Sequence, residues 1–185
     1  LAIFAYGNSG SLTNLSNKVS SSGVVAADTT GVGTSREYPA AASYGGDKGI
    51  YGYGNSGSRV NMTNLVTNAG VIGTDVSGVG SARDELAAAG YGGDKAIFAY
   101  GTTGSSTNIK NLVNNAGVVA ADATGVGSAR QSLAAASYGG DKAIFAYGGT
   151  HVSNLVSNTG VVAADVTGVG TLRQYLGAAG YSISA

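Results

Sequence analysis

The chain has 185 residues, enough for one domain with a buried core, and only 11% of them are charged, ten basic against ten acidic. That balance excludes the electrostatic footprint of a nucleic-acid or anionic-membrane binder, and apolar runs such as Leu133-Ala134-Ala135-Ala136 stop far short of a bilayer span. Without cysteine there is no disulfide framework, thiolate nucleophile or cysteine metal site. The chain opens at Leu1 and its single methionine is Met62, as expected of a processed or excised piece of something longer; no signal-peptide pattern is present to read.

One unit occurs four times. Ile3, Ile50, Ile97 and Ile144 mark it and are spaced 47 apart. Asp28, Asp75 and Asp122 follow their Ile by 25 residues, whereas Asp165 follows by 21 because a loop between Gly148 and Asn154 is four residues shorter. Arg36, Arg83, Arg130 and Arg173 keep the same step, so the shortened segment is a loop.

The predicted elements, in chain order, begin with Leu1 to Tyr6, an apolar run that reads as the second strand of a hairpin. In the third copy, Asn111-Leu112-Val113 and Val118 to Ala121 read as short strands around the turn signal Asn114-Asn115-Ala116-Gly117. Leu133 to Tyr138 and Ala143 to Gly148 then flank Gly139-Gly140-Asp141, whose glycines supply the positive φ angles of a tight hairpin. Both faces of these two runs are apolar, which predicts strands buried on two sides. Helix is rejected for the Ala-rich run because six residues bounded by glycine cannot nucleate one unaided. Tyr175 to Tyr181 reads as a first hairpin strand, so the two termini together complete one hairpin.

About four strands per unit, repeated in tandem, predict an all-β fold: a four-bladed β-propeller of four 47-residue repeats, one domain over 1–185, its ring closed by strands from both termini. A β-solenoid and a larger ring assembled from two chains are the competing architectures. The order Gly-Val-Gly-Ser-Ala-Arg130, Leu133-Ala-Ala-Ala, Gly139-Gly140-Asp141-Lys142, Ile144-Phe145-Ala146-Tyr147-Gly148-Gly149 resembles the kelch-type pattern of an Arg, an apolar strand, a turn and an aromatic strand ending in Gly-Gly. Only the fourth copy carries the Gly pair, and there is no Trp. The copies with Asp-Lys-Ala-Ile-Phe-Ala-Tyr-Gly and Asn-Leu-Val-Ser-Asn-Thr-Gly-Val-Val-Ala-Ala-Asp also resemble repeats in structural proteins of bacteriophages, aquatic ones especially. That resemblance implies a virion appendage or surface protein serving attachment or assembly.

Little in the sequence favours catalysis. The one histidine, His151, stands in the shortened loop with no carboxylate near it in sequence, and no cluster of His or carboxylates forms a metal motif, so no enzyme activity, cofactor or metal is expected. The Gly-Val-Gly stretches lack the strand, helix and Lys context of a phosphate loop and are expected to serve backbone geometry. Asp28, Asp75, Asp122 and Asp165 each precede their Arg by eight residues. With Arg36, Arg83, Arg130 and Arg173 they are expected to form a structural network within or between blades. A ring of the four arginines binding an anion is the alternative. The tyrosines at two repeated strand positions (Tyr6, Tyr53, Tyr100, Tyr147 and Tyr44, Tyr91, Tyr138, Tyr181) are expected to pack between blades rather than stack on a ligand.

The copies differ most in the loop after the aromatic strand, where Asn8, Ser9, Asn55, Ser56, Arg59, Thr102, Thr103, Thr150 and His151 are the candidate ligand contacts. Small, neutral and polar, these loops suit a glycan held multivalently. The expectation is a non-catalytic attachment module, extracellular or on a virion surface, whose partner is a glycan or cell-surface receptor. The alternative is a purely structural, self-assembling component, packing against other virion proteins or as a homo-oligomer. Neither nucleic acid nor membrane is an expected partner.

Overall fold

Short apolar runs broken by Gly-Gly-Asp turns fold as antiparallel hairpins, and the computed structural model, which describes residues 1–181, is all-β with no helix among those residues. Sheet 1 contains β1 (Ala2–Asn8) and β2 (Leu12–Val19). Sheet 2 contains β3 (Ala40–Tyr44), β4 (Lys48–Gly52) and β5 (Thr63–Val66), and sheet 3 contains β6 (Ala87–Tyr91), β7 (Lys95–Ala99) and β8 (Lys110–Val113). Sheet 4 contains β9 (Ala134–Tyr138), β10 (Lys142–Ala146), β11 (Val152–Val156) and β12 (Val166–Thr167).

The hairpins form where the turn glycines predict them. Tyr138 pairs with Lys142 and Ala134 with Ala146, leaving Gly139, Gly140 and Asp141 to make the connection with φ of +60° and +82° at the two glycines. The same register recurs at Tyr44↔Lys48 and Tyr91↔Lys95. The expected second short strand, Val118 to Ala121, is reduced to a single bridge, Val113↔Val119. Two backbone bonds, Asn114 N–H to the Val118 carbonyl and Ala120 N–H to that of Leu112, are supplemented there by side chains: Asn114 turns its side-chain oxygen onto the N–H groups of Ala116 and Val118, and Asn111 donates to the carbonyl of Ala120. A fourth strand is complete only in sheet 4, where Val166–Thr167 pairs with Val152 and Ser153.

The sheets stack face to face in chain order, β3 against β6 and β6 against β9. Tyr44, Ile50, Tyr53, Leu86, Phe98 and Val113 fill the space between sheets 2 and 3, and Tyr91, Ile97, Tyr100, Leu133, Phe145 and Val156 that between sheets 3 and 4. Ala96, Ile97, Phe98 and Ala99 of β7 are all sealed from solvent, as expected of a strand covered on both faces. A thinner core of Tyr51, Val66 and Ile72 joins sheets 1 and 2.

The expected closure by strands from both termini is not formed. β1 pairs with β2 alone, and residues 176–181 belong to no strand. The stack ends instead in two exposed faces, with Phe4 of sheet 1 62% exposed while its counterparts Phe98 and Phe145 are 0% exposed.

Candidate functional site

One arrangement of side chains joins each sheet to the next, and it is built around a buried guanidinium. Arg83 is wholly buried; its Nη2 donates to Asn111 Oδ1 at 2.6 Å and its Nη1 lies 3.7 Å from Asp122 Oδ1. The plane of the guanidinium covers the ring of Tyr53 from the preceding sheet, 4.1 Å from its centroid. Asp122 accepts from the backbone N–H of Ser81 at 2.9 Å, from its hydroxyl at 2.6 Å and from Asn111 Nδ2 at 2.9 Å. Arg36 with Tyr6, Asn64, Asp75 and Thr34 repeats this arrangement, as does Arg130 with Tyr100, Asn154, Asp165 and Ser128.

Of the eight repeated Asp and Arg residues, six meet in three pairs, Arg36 with Asp75, Arg83 with Asp122 and Arg130 with Asp165, while Asp28 and Arg173 form no ion pair among the described residues. Each of these three arginines meets the Asp of the following copy rather than the Asp eight residues before it. The main acceptor is an Asn that sequence reasoning passed over: Asn64, Asn111 and Asn154. A signal for it existed, because Asn17, Asn64 and Asn111 each follow their repeat Ile by 14 residues.

Electrostatics account for the arrangement. Burial lowers the guanidinium pKa of Arg36 and Arg83, opposed by the facing tyrosine and Asp75 or Asp122, and a charged acceptor set keeps the cation in place. Burial alone would raise the carboxyls of Asp75 and Asp122, yet hydrogen bonds from Thr34 or Ser81 and from Asn64 or Asn111 hold both below the usual range. At Asp165 the Ser128 hydroxyl is the leading cause of the same lowering. The Nε of Arg36, Arg83 and Arg130 has no hydrogen-bond partner, so even a well-formed joint leaves one donor of each cation unsatisfied.

The tyrosine under each Arg is held in the left-handed region, with φ of +66°, +63°, +64° and +66° at Tyr6, Tyr53, Tyr100 and Tyr147. A bulky residue there is strained. Its hydroxyl donates to the Val carbonyl of its own Gly-Val-Gly stretch, as Tyr100 does to Val126 at 3.3 Å, which fixes the ring beneath the cation. Both glycines of that stretch have steric reasons. A Cβ at Gly125 would overlap the backbone carbonyl of Asn108, and Gly127, at φ +94°, lies against the Asp165 carboxylate.

The candidate ligand loops divide into two groups. Asn55 donates to Asp84 at 3.0 Å and accepts from Gly57, Arg59 pairs with Asp84 at 2.9 Å, and Thr102 is buried, so these three serve their own repeats. Asn8 donates to Glu37 at 3.0 Å from an exposed position. Ser9, Thr103 and His151 face solvent, Ser56 and Thr150 are half-buried, and Thr150 donates to the Tyr147 carbonyl at 3.3 Å. Among the described residues no group of three or more His, Asp or Glu gathers as metal ligands do, and no helix is long and apolar enough to cross a membrane.

The two ends of the stack each carry half of a joint. At one end Arg173 covers Tyr147 at 4.2 Å but has no carboxylate or amide partner among the described residues, and it is exposed. At the other, Asn17 donates to Asp28 at 2.8 Å with no guanidinium between them and a preceding sheet. A groove of about 940 Å³ opens between sheets 1 and 2, lined by Ile3 and Val19 on one side and by Ala42, Ile50, Tyr51 and Val66 on the other. The arginines therefore do not form a ring open to an anion: three are sealed in joints and the fourth stands at an end face. Compared with known proteins, the chain matches no family model and no curated relative.

Proposed function

We infer that the chain is a non-catalytic structural module, a run of propeller-type blades in an open stack, whose role is to build an assembly. The observation that carries this reading is the joint itself. Three equivalent joints commit Arg36, Arg83 and Arg130 with their Asn, Asp and Tyr partners to holding each sheet against the next. Chemistry-bearing residues elsewhere are few, and the groove beside β1 is lined mainly by apolar and small side chains. The resemblance to repeats of bacteriophage structural proteins supports placing such a module on a virion or another extracellular appendage.

A second reading, attachment to a glycan or receptor, is favoured by one observation. Ser9, Thr103 and His151 present exposed polar side chains from loops that follow the same strand in three copies. Both readings meet in one experiment, light scattering on the purified chain across a concentration series, with a glycan array run on the same sample. A mass that grows with concentration and an array without signal is the expected result. A monomer that binds a coherent set of sugars would instead establish the attachment reading.

A further inference from the structure

We propose that the face of the stack carrying the hairpin turns is where a second copy of this chain docks, the two copies meeting through the same face about a two-fold axis. This rests on the structural reading above and supplies its interface. Two turns of each of sheets 2, 3 and 4 lie on that face: Gly-Gly-Asp between the first and second strands, and Asn-Ala-Gly or Asn-Thr-Gly after the third. Asn68 donates to Asp47 at 3.1 Å and Asn158 to Asp141 at 3.0 Å, which ties the two turns of a sheet together. The N–H of Gly45 donates to the Asp94 carbonyl and that of Gly92 to the Asp141 carbonyl, each at 2.7 Å, so the three sheets present one continuous surface.

Each copy adds to this face an apolar side chain that the fold does not use. Val71, Val118 and Val161 follow the second turn and are 54%, 61% and 62% exposed, while the residues after them, Ile72, Val119 and Val162, are buried. Alternation along an edge strand turns one of each pair outward, but it does not require that one to be apolar. The bonds Val71 makes to Thr67 use its backbone N–H and carbonyl, which any residue but proline supplies. Val24 of sheet 1 holds the same position and is 64% exposed. The loops at the opposite ends of the strands, beginning at Asn55, Thr102 and Gly149, change from copy to copy instead. A side chain that in all four copies stays the same, apolar and exposed marks a surface that is covered in an assembly.

Charge selects the occupant. Asp47 with Lys48, Asp94 with Lys95 and Asp141 with Lys142 put both signs side by side on this face once per sheet, at 3.4, 2.8 and 3.1 Å, with all six side chains exposed. These charges sum to zero, so a uniformly acidic or basic partner gains little from them. An identical face turned through a half-rotation can set Asp against Lys at each couple. Repetition points the same way, because a surface that recurs once per sheet is matched in spacing by another stack of the same sheets. A contact made by one face with itself is isologous and closes at two copies.

The test is sedimentation equilibrium on the full chain and three full-chain variants. The expected wild-type mass rises with concentration from the 18.0 kDa of one chain to twice that value and stops there. Val71→Glu with Val118→Glu sets new carboxylates of the two copies against each other and should hold the chain at 18.0 kDa. Val71→Thr with Val118→Thr keeps the shape and the β-branch but not the apolar surface; it should move association to higher concentration while the urea midpoint stays where it is. Thr103→Glu, on the opposite loops, should associate as wild type does. Association unaffected by both pairs of Val substitutions, or lost equally with Thr103→Glu, would overturn this face while leaving an assembling module. A mass that grows past two copies would overturn the two-fold closure. A wild-type chain at 18.0 kDa at every concentration would overturn the face and the assembling module together.

Discussion

Arg83 donates from Nη2 to the Oδ1 of Asn111 at 2.6 Å, with both side chains wholly buried and their positions 28 residues apart in sequence. A cation sealed between two sheets needs acceptors of fixed geometry, and Asn111 supplies the shortest of them while its own Nδ2 holds Asp122 in place. The amide is therefore the hinge of the joint: it faces the cation with its oxygen and the carboxylate with its nitrogen.

Removing that amide should be costly. Asn111→Ala leaves a buried guanidinium without its main acceptor while Asp122 stays in place, a loss of roughly 1.5–3 kcal/mol, the range of a hydrogen bond to a charged group. Asn17→Ala removes the same group from the exposed end, where no Arg faces it, and should cost about 1 kcal/mol or less. Urea unfolding of the two variants at a concentration where the chain is monomeric separates them. Equal losses would mean that Asn111 acts through the turn it shares with Ala120, since both asparagines bond a carbonyl nine residues on.

Acid should loosen the same joints. Asp75, Asp122 and Asp165 titrate below their ordinary range in the folded chain, so in the unfolded chain, near the reference value of about 3.9, they bind protons first. Their contribution is complete above that value and is lost as pH falls through the lower folded-state values, while each Arg keeps its charge. The urea midpoint should fall steadily below about pH 4, and Asp122→Asn should reduce the steepness of that fall. An unchanged slope in the variant would show that Asp122 ionisation is not linked to stability.

The repeat and its hairpins were legible because they rest on local chemistry: a 47-residue spacing and Gly139-Gly140-Asp141, whose two glycines take the positive φ angles that a tight hairpin needs. The joint was half legible. Arg83 and Asp122 stood out as repeated charges, but their partnership crosses from one copy to the next, and proximity in sequence pointed to Asp75 instead. Asn111 was hidden inside Asn111-Leu112-Val113, where it reads as an ordinary residue at a strand edge. Closure was not legible at all. Two strands that could pair by sequence, around Ile3 and Ala179, stay apart because how far a stack bends depends on the packing of Tyr44, Phe98 and their neighbours, which no local pattern specifies.

Glycine substitutions should distinguish crowding from backbone strain. Gly125→Ala drives a methyl into the Asn108 carbonyl and forces the loop to move, which costs about 1–3 kcal/mol or more by analogy with overpacked cores. Gly104→Ala, at φ +120° with open space around it, bears only the backbone penalty of about 1–2 kcal/mol. Thermal unfolding of both, with a crystal structure of the milder variant, checks the order; a larger loss at Gly104 would mean that the loop after β7 carries packing beyond its own backbone.

Alkali should act on the thin core between sheets 1 and 2. Burial, with the neighbouring Tyr6 adding to it, raises the Tyr51 hydroxyl to about 12, and that hydroxyl donates to the Ile3 carbonyl at 2.7 Å. The unfolded chain ionises near 10, so between the two values the folded chain holds the proton that the unfolded chain has lost, and stability falls as pH rises through that window. Tyr51→Phe loses the hydrogen bond, about 1 kcal/mol at neutral pH, but has no proton to lose. Its stability should therefore decline less than wild type from pH 10 to 12, read by urea midpoints at each pH. Parallel declines would place the alkaline weakness elsewhere, as in Tyr53 and Tyr100 of the second and third joints, whose hydroxyls burial also raises.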